Sequence, residues 1–304
     1  MKKTIIRIAI IFISLILVFV IGWGGIIYSY YPHYNKNKSK IEMTEVSDSS
    51  QIKVMSYNIR CHAPDDFGHK NWFYRANLVV DTIENAQPGI IGFQEVNSWQ
   101  YDYLCDVMPL YDSIIEYRDD IPVYSEGCPV FYRTDLYTLI DKGSFWLSET
   151  PDVMSKEWGS ACYRICSYAR LKDNFSEKEF VIFNTHLDHV SDEARIKGIQ
   201  VVLNKIEEFG SIPAILMGDL NAVEDSETYR SATINFDDVK YQTENTMTSC
   251  TFQNWGTELD RDCIDYILTS KGDFEVDSYK VITDTYDGDY TSDHFPITAI
   301  IKLK

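Results

Sequence analysis

The chain has 304 residues, 45% of them hydrophobic, which is ordinary for a globular protein and enough for a large core. Its net charge of −18 is uneven: residues 1–40 hold six of the 28 bases and no acid, leaving 22 bases against all 46 acids in 41–304, a balance of −24. A body that acidic repels polyanions and lacks the basic stripe of a tight or processive nucleic-acid binder, although a nuclease gripping its substrate through a metal stays open.

The run Ile8–Ile27 carries no charge over 20 positions, enough to cross a bilayer as a helix. Lys2, Lys3 and Arg7 precede it, so the positive-inside rule leaves the N-terminus in the cytoplasm and exports the rest. Trp23, Tyr28, Tyr30 and Tyr31 follow it as an interfacial belt would, and no small-x-small cleavage site is seen. A signal-anchor over 1–31 is the favoured reading, with a cleaved signal and a secreted protein as the alternative. Residues 32–51, rich in Asn, Lys and Ser, read as a polar tether. No second linker or repeat follows, so 52–304 reads as one domain.

Within it, Ile52–Ile59 reads as a first strand. Trp72–Ala86 sets Leu78, Val79, Ile83 and Ala86 on one helical face, stopped by Pro88. Gly89–Val96, Pro129–Tyr132, Ile165–Leu171, Phe180–Thr185, Ile212–Met217, Cys263–Leu268 and Pro296–Lys302 read as further strands. Ser191 caps a helix to Phe209, with Asp192 and Glu193 in its first turn and Gly210 ending it. Strands outnumber helices and several are consecutive, which suggests an α/β sandwich with mixed sheets rather than a doubly wound sheet. The seven cysteines are odd in number and lack CxxC spacing or His partners, which argues for free, semi-buried thiols and against a zinc site.

Polar residues gather where the apolar runs end: Tyr57-Asn58, Gln94-Glu95, Glu126, Asn184-Thr185-His186, Gly218-Asp219-Leu220-Asn221, Ile264-Asp265 and Ser292-Asp293-His294. One such residue is an ordinary turn former. Seven ends supplying carboxylates, amides and two histidines describe the rim of a sheet that binds a ligand. Carboxylate and amide oxygens are hard ligands suited to Mg²⁺ or Mn²⁺. A histidine acts as acid or base, and a carboxylate beside it fixes its tautomer; Glu126 and Asp265 are the two carboxylates on offer.

The ordered set YN, QE, EGCPVFYR, NTHLDH, GDLN, IDYI and SDHFP resembles the endonuclease/exonuclease/phosphatase superfamily over roughly residues 53–302. The resemblance implies a four-layer α/β sandwich of two packed mixed β-sheets flanked by helices, here preceded by one transmembrane helix. It implies metal-dependent phosphoester hydrolysis, with Glu95 as the main Mg²⁺ ligand assisted by Asn58 and Asp293. Asp219 and Asn221 would position the attacking water, His186 and His294 would contact the scissile phosphate, and Glu126 and Asp265 would hold His186 and His294 respectively. Arg164 and His189 are candidate substrate contacts, and Asp65, Asp66 and His69 lie in a loop expected to shape the entrance.

The resemblance does not name the substrate. The charge and the anchor favour a small phosphomonoester or a lipid head-group phosphoester, with a surface nuclease second and a catalytically silent binding module third. No obligate protein partner is evident.

Overall fold

Alternation along the strands decides the layers. The computed structural model describes residues 2–36, 40–44 and 50–304. Helix α1 (Lys2–Lys36) leads, followed by β1 (Ile52–Asn58), α2 (Trp72–Ala86), β2 (Ile90–Gln94), α3 (Ser98–Val107), β3 (Tyr111–Ile114), β4 (Val130–Arg133) and β5 (Tyr137–Trp146). Then come β6 (Ile165–Asp173), β7 (Glu179–His186), α4 (Asp192–Glu207), β8 (Ala214–Asp219), α5 (Glu227–Ala232) and β9 (Phe236–Asp238). The chain closes with β10 (Thr246–Met247), β11 (Asp265–Ser270), β12 (Phe274–Val281) and β13 (Ile297–Leu303).

Two sheets form, ordered β10-β12-β13-β1-β2-β4-β3 and β5-β6-β7-β8-β11-β9. Val54, Ile90, Ile182, Ile215 and Ile297 fill the space between them. Their neighbours point the other way: Met55, Ile91 and Phe93 pack under α2 and α3, while Val181, Phe183 and Leu216 pack under α4. A strand covered on both faces is apolar throughout, which is why β1, β2, β7 and β8 read as continuous hydrophobic runs. The result is the expected four-layer mixed-sheet sandwich.

The two sheets are clasped beneath one rim by buried amides. Asn184 on β7 reaches across to donate to Phe93 O at 2.7 Å and Pro129 O at 2.9 Å, and it accepts from Gln94 Nε2 at 2.7 Å. Gly92 permits the approach, since a Cβ there would stand 2.7 Å from Met217 and 2.8 Å from Asn184.

Helix α1 contains one window, Lys2–Gly25, long and apolar enough to cross a membrane, and none of it is buried within the protein. The helix runs through residues 32–36, which the polarity of the sequence assigned to a tether. Residues 41–44, assigned to the same tether, lie on the domain instead. Ile41 is buried and its N–H donates to Val107 O at 2.8 Å; Thr44 N–H donates to Gln87 Oε1 at 2.8 Å. Ile41 and Met43 are apolar residues in a polar stretch, and their burial against the α2/α3 core explains the docking. Residues 37–39 and 45–49 of that tether fall outside the described residues.

Candidate active site

Strand register brings the polar ends to one place. β1 and β2 are parallel with Asn58 opposite Gln94, and β7 and β8 are parallel with His186 opposite Asp219. β11 runs antiparallel to β8 with Asp265 opposite Asp219. β13 is antiparallel to β1, with Ile297 opposite Ser56, so Asp293 and His294 just before it arrive at the end of β1. The backbone turns sharply here: Glu95 and Asn221 hold left-handed φ of 62° and 47°. Gly218 has φ 139°, and a Cβ there would sit 2.0 Å from Thr185 O, so no other residue fits beneath His186 and Asp219.

These ends line a cleft of about 570 Å³ together with Arg60, Arg118, Arg164, Arg195 and His189. On one side Asn58 Nδ2 donates to Glu95 Oε1 and to Asp219 Oδ2, each at 3.1 Å. Its Oδ1 accepts Arg60 N–H at 3.0 Å, so Asn58 turns its amino group, not its oxygen, to the carboxylates. In this orientation its amino group positions Glu95 and Asp219. Glu95 Oε2 accepts Cys61 N–H at 3.1 Å. Burial opposes its charge, yet Arg60 and His294 hold its carboxyl below the usual range. Asp293 is pushed up by burial and by Glu95, although His294 works against the rise.

On the other side His294 Nδ1 lies 2.9 Å from Asp265 Oδ2, the pairing expected from the sequence. Its Nε2 is 3.7 Å from Asp219 Oδ2. Burial disfavours the imidazolium, but Asp265, Asp219 and Asp293 outweigh it and raise the pKa to about 10. Burial and Asp265 together push Asp219 up to about 7. Asp219, Asp265 and His294 are close enough to hold an ion, yet Asp265 is already bonded to the imidazole, so the three read as a proton-handling relay. Asn221 N–H donates to Asp219 Oδ1 at 2.9 Å and its side chain to Leu187 O at 3.1 Å.

The pairing expected between His186 and Glu126 does not form. Arg118 takes both oxygens of Glu126, at 2.6 and 2.7 Å, because the planar guanidinium matches a carboxylate in two parallel bonds. Nε2 of His186 instead lies 3.4 Å from Asp219 Oδ2. Burial, then Arg164 and Arg118, drive its pKa well below the ordinary histidine value, so it is neutral at physiological pH. Arg164 is buried beside His189, with Nη2 2.9 Å from Nδ1. Asp65, Asp66 and His69 do not line the cleft: Asp66 pairs with Arg60 at 3.2 Å and His69 with Asp289.

Sequence reasoning passed over Arg118 and Arg60, and named Ser292 at the rim without giving it a role. Arg118 sits in EYRDD, which belongs to no motif. Ser292, whose hydroxyl donates to Asn58 O at 2.8 Å and lies 3.2 Å from Asp293 Oδ1, ties the end of β1 to the SDH run.

The sequence pattern of the endonuclease/exonuclease/phosphatase family matches residues 55–294. The chain belongs to that family. Its members are metal-dependent phosphoester hydrolases. A mannosyl-6-phosphatase structure from Bacteroides thetaiotaomicron is 32% identical, with TM-score 0.78, covering 83% of this chain and 100% of that one. An uncharacterized protein of Acanthamoeba polyphaga mimivirus is 30% identical over 159 residues, 49% of this chain and 59% of that protein. Ccr4 of Candida albicans, a 3′–5′-exoribonuclease subunit of the CCR4-Not complex, is 23% identical over 237 residues, 64% of this chain and 30% of that protein. The chain thus spans about three fifths or less of the length of these two relatives.

Proposed function

We propose that this protein hydrolyses a small phosphoester, a sugar phosphate or a lipid head group, with Mg²⁺ as its cation. We assign 1–31 to a membrane anchor and 52–304 to a catalytic domain outside the cytoplasm. The observation that carries the substrate reading is an arginine-lined cleft of about 570 Å³ in a domain of 22 bases and 46 acids. Such a body offers little to the backbone of a long nucleic acid, whose binding rests on phosphate neutralisation. The likeness to a mannosyl-6-phosphatase supports the same reading. The likeness to Ccr4 keeps a nuclease as the second one.

Glu95 and Asp293 fit a divalent cation. They are hard oxygen donors, Asp293 buried and Glu95 half-buried, and Glu95 adds to the burial that pushes the Asp293 carboxyl up, a repulsion a cation relieves. When bound, the cation would polarise a phosphoryl oxygen and stabilise the charge that builds on it. The chain's own residues do the rest. Asp219, with a pKa of about 7, is poised to accept a proton from water near neutrality. Asn221 holds Asp219 in place through its N–H. His294, charged and fixed by Asp265, donates from Nε2 to the phosphoryl group; His186, neutral, donates a second, weaker hydrogen bond. Water oxygen bonds phosphorus, the ester P–O bond breaks, and the released alkoxide takes a proton from solvent. Arg164 and His189 line the same cleft as substrate contacts.

The test is a comparison of kcat/KM for a hexose 6-phosphate, a phospholipid and plasmid DNA, using the full chain in detergent at matched Mg²⁺. We expect the small ester or head group to lead and a chelator to abolish turnover. DNA cleaved as well as the best small substrate makes the protein a nuclease. Protease added to intact cells should reach the domain; a protected domain removes the extracytoplasmic assignment.

A further inference from the structure

Two arginines of the cleft have donors left over. Arg164, at 6% side-chain exposure, sits 3.8 Å from Asp188 through Nε, too far for a hydrogen bond. Asp188 is already engaged elsewhere. Its Oδ2 accepts from Ser160 Oγ and Ala161 N, each at 2.9 Å, and its Oδ1 from Val190 N at 3.0 Å and Ser191 N at 2.8 Å. Among the described residues Arg164 Nε meets no acceptor, and the same holds for the buried Nε of Arg118. The Arg118 guanidinium is gripped in place by Glu126 through its two terminal nitrogens. Both arginines line the 570 Å³ cleft and, at its floor, a recess of about 10 Å³, room for a single oxygen atom, whose other walls include Glu95, Glu126, Cys128, Ile165 and His186. A buried donor is costly to leave unpaired, so two in the wall of one cleft mark a place where an acceptor belongs.

His186 ties this recess to the reaction. It borders the recess, and its Nε2 is 3.4 Å from Asp219 Oδ2. An anion on Arg118 and Arg164 is therefore the phosphoryl group being cleaved or an oxygen directly attached to it. Resting on the phosphoesterase reading above, we propose that Arg118 and Arg164 form a subsite for the unesterified oxygens of a terminal phosphate, making the enzyme selective for phosphomonoesters over phosphodiesters. A monoester presents three non-bridging oxygens and nearly two negative charges at neutral pH. A diester has one charge fewer, and its second ester arm takes the place of one of those oxygens. Rigid guanidinium forks recognise such an oxygen pair better than a lysine point charge does.

The experiment uses the full chain in detergent with Mg²⁺, and p-nitrophenyl phosphate against bis-p-nitrophenyl phosphate. Arg164→Gln and Arg118→Gln should each lower kcat/KM on the monoester about 10- to 100-fold, the range of a charge-assisted hydrogen bond, and weaken inhibition by inorganic phosphate to match. The diester rate should fall less than about threefold, since the diester makes fewer of these contacts. Equal losses on both esters, or unchanged phosphate inhibition, overturn the proposal. Should a glutamine variant melt early by circular dichroism, Arg164→Lys and Arg118→Lys keep the charge, lose the fork, and should still shift the monoester-to-diester ratio downward. Calorimetric titration of inorganic phosphate in EDTA reads the subsite without turnover. Wild type should bind and the double glutamine variant should not; no binding by wild type overturns the subsite. A protein that binds phosphate in this way yet cleaves neither ester keeps the subsite and loses the proposed function.

Discussion

His186 and His294 share one cleft and one neighbour, Asp219, yet their surroundings drive them to opposite states. His294 has Asp265 on Nδ1 and two further carboxylates nearby, and its pKa rises to about 10. Around His186 stand Arg164 and Arg118 where a carboxylate was expected, and its pKa falls well below the ordinary value. Burial works against the charge on both; the sign of the neighbours decides the outcome. Two histidines that look alike in a motif thus become one cationic donor and one neutral one, in the way that paired titratable groups with divergent environments divide their roles.

Removing the cationic histidine should be the costliest way to test this. His294→Gln is expected to lower kcat about 10³-fold, within the range for a general acid or charge-stabilising group. A loss below about tenfold would mean that His294 does not contact the reacting group. Asp265→Asn should cost less, about 10- to 100-fold, because the imidazole remains but its charge is no longer supported. The pH profile separates the two. His294 is active as the cation, so activity declines as pH rises through its pKa, and loss of Asp265 should move that alkaline limb to lower pH. Stability follows the same sign in the metal-free protein. The folded pKa of about 10 exceeds the ordinary 6.5, so the contribution is complete below 6.5 and is lost as pH climbs through 10. Asp265→Asn should flatten that decline in melting temperature.

His186→Gln tests the other half. A neutral donor can be replaced by an amide more cheaply, so we expect roughly a tenfold loss of kcat/KM with the pH limbs unmoved. A shifted limb would show that His186 titrates in the working range.

The contrast also marks how far the sequence could be read. His294 and its partner were legible because both stand at strand ends brought together by antiparallel register, Asp265 opposite Asp219 and Ile297 opposite Ser56. Motif spacing encodes such register well. The surroundings of His186 were not legible, because the competitor for Glu126 comes from a loop eight residues upstream with no motif of its own. The fold divides in the same way. β1, β2, β7 and β8 were found because they are apolar on both faces. Edge strand β5, and β12 beside the two-residue edge strand β10, were missed because only part of each is buried, and their sequences mix charge with apolar residues. Helix α3 was missed although Asn97 and Gln100 form a capping box, a signal overlooked because SWQYDYLCDV has no clean apolar stripe.

The smallest expected effect tests the correction itself. If Glu126 held His186, Glu126→Gln would resemble loss of His186. Because Arg118 occupies both oxygens, and the amide keeps one acceptor for it, we expect less than about a threefold loss on a diester substrate and no movement of the pH limbs. Stability supplies a second reading with a definite sign. Burial, then the nearby charge of Glu95, raises the Glu126 carboxyl to about 7 despite Arg118. Its folded pKa lies above the ordinary 4.5, so its contribution is greatest below 4.5 and is lost as pH rises through 7. The glutamine variant has no proton to lose. In EDTA, the stability of wild type relative to Glu126→Gln should therefore fall between pH 5 and about 8, as thermal melts across that range would record. A wild-type advantage that grows with pH would mean that the Arg118 ion pair outweighs burial, and that Glu126 is charged throughout the working range.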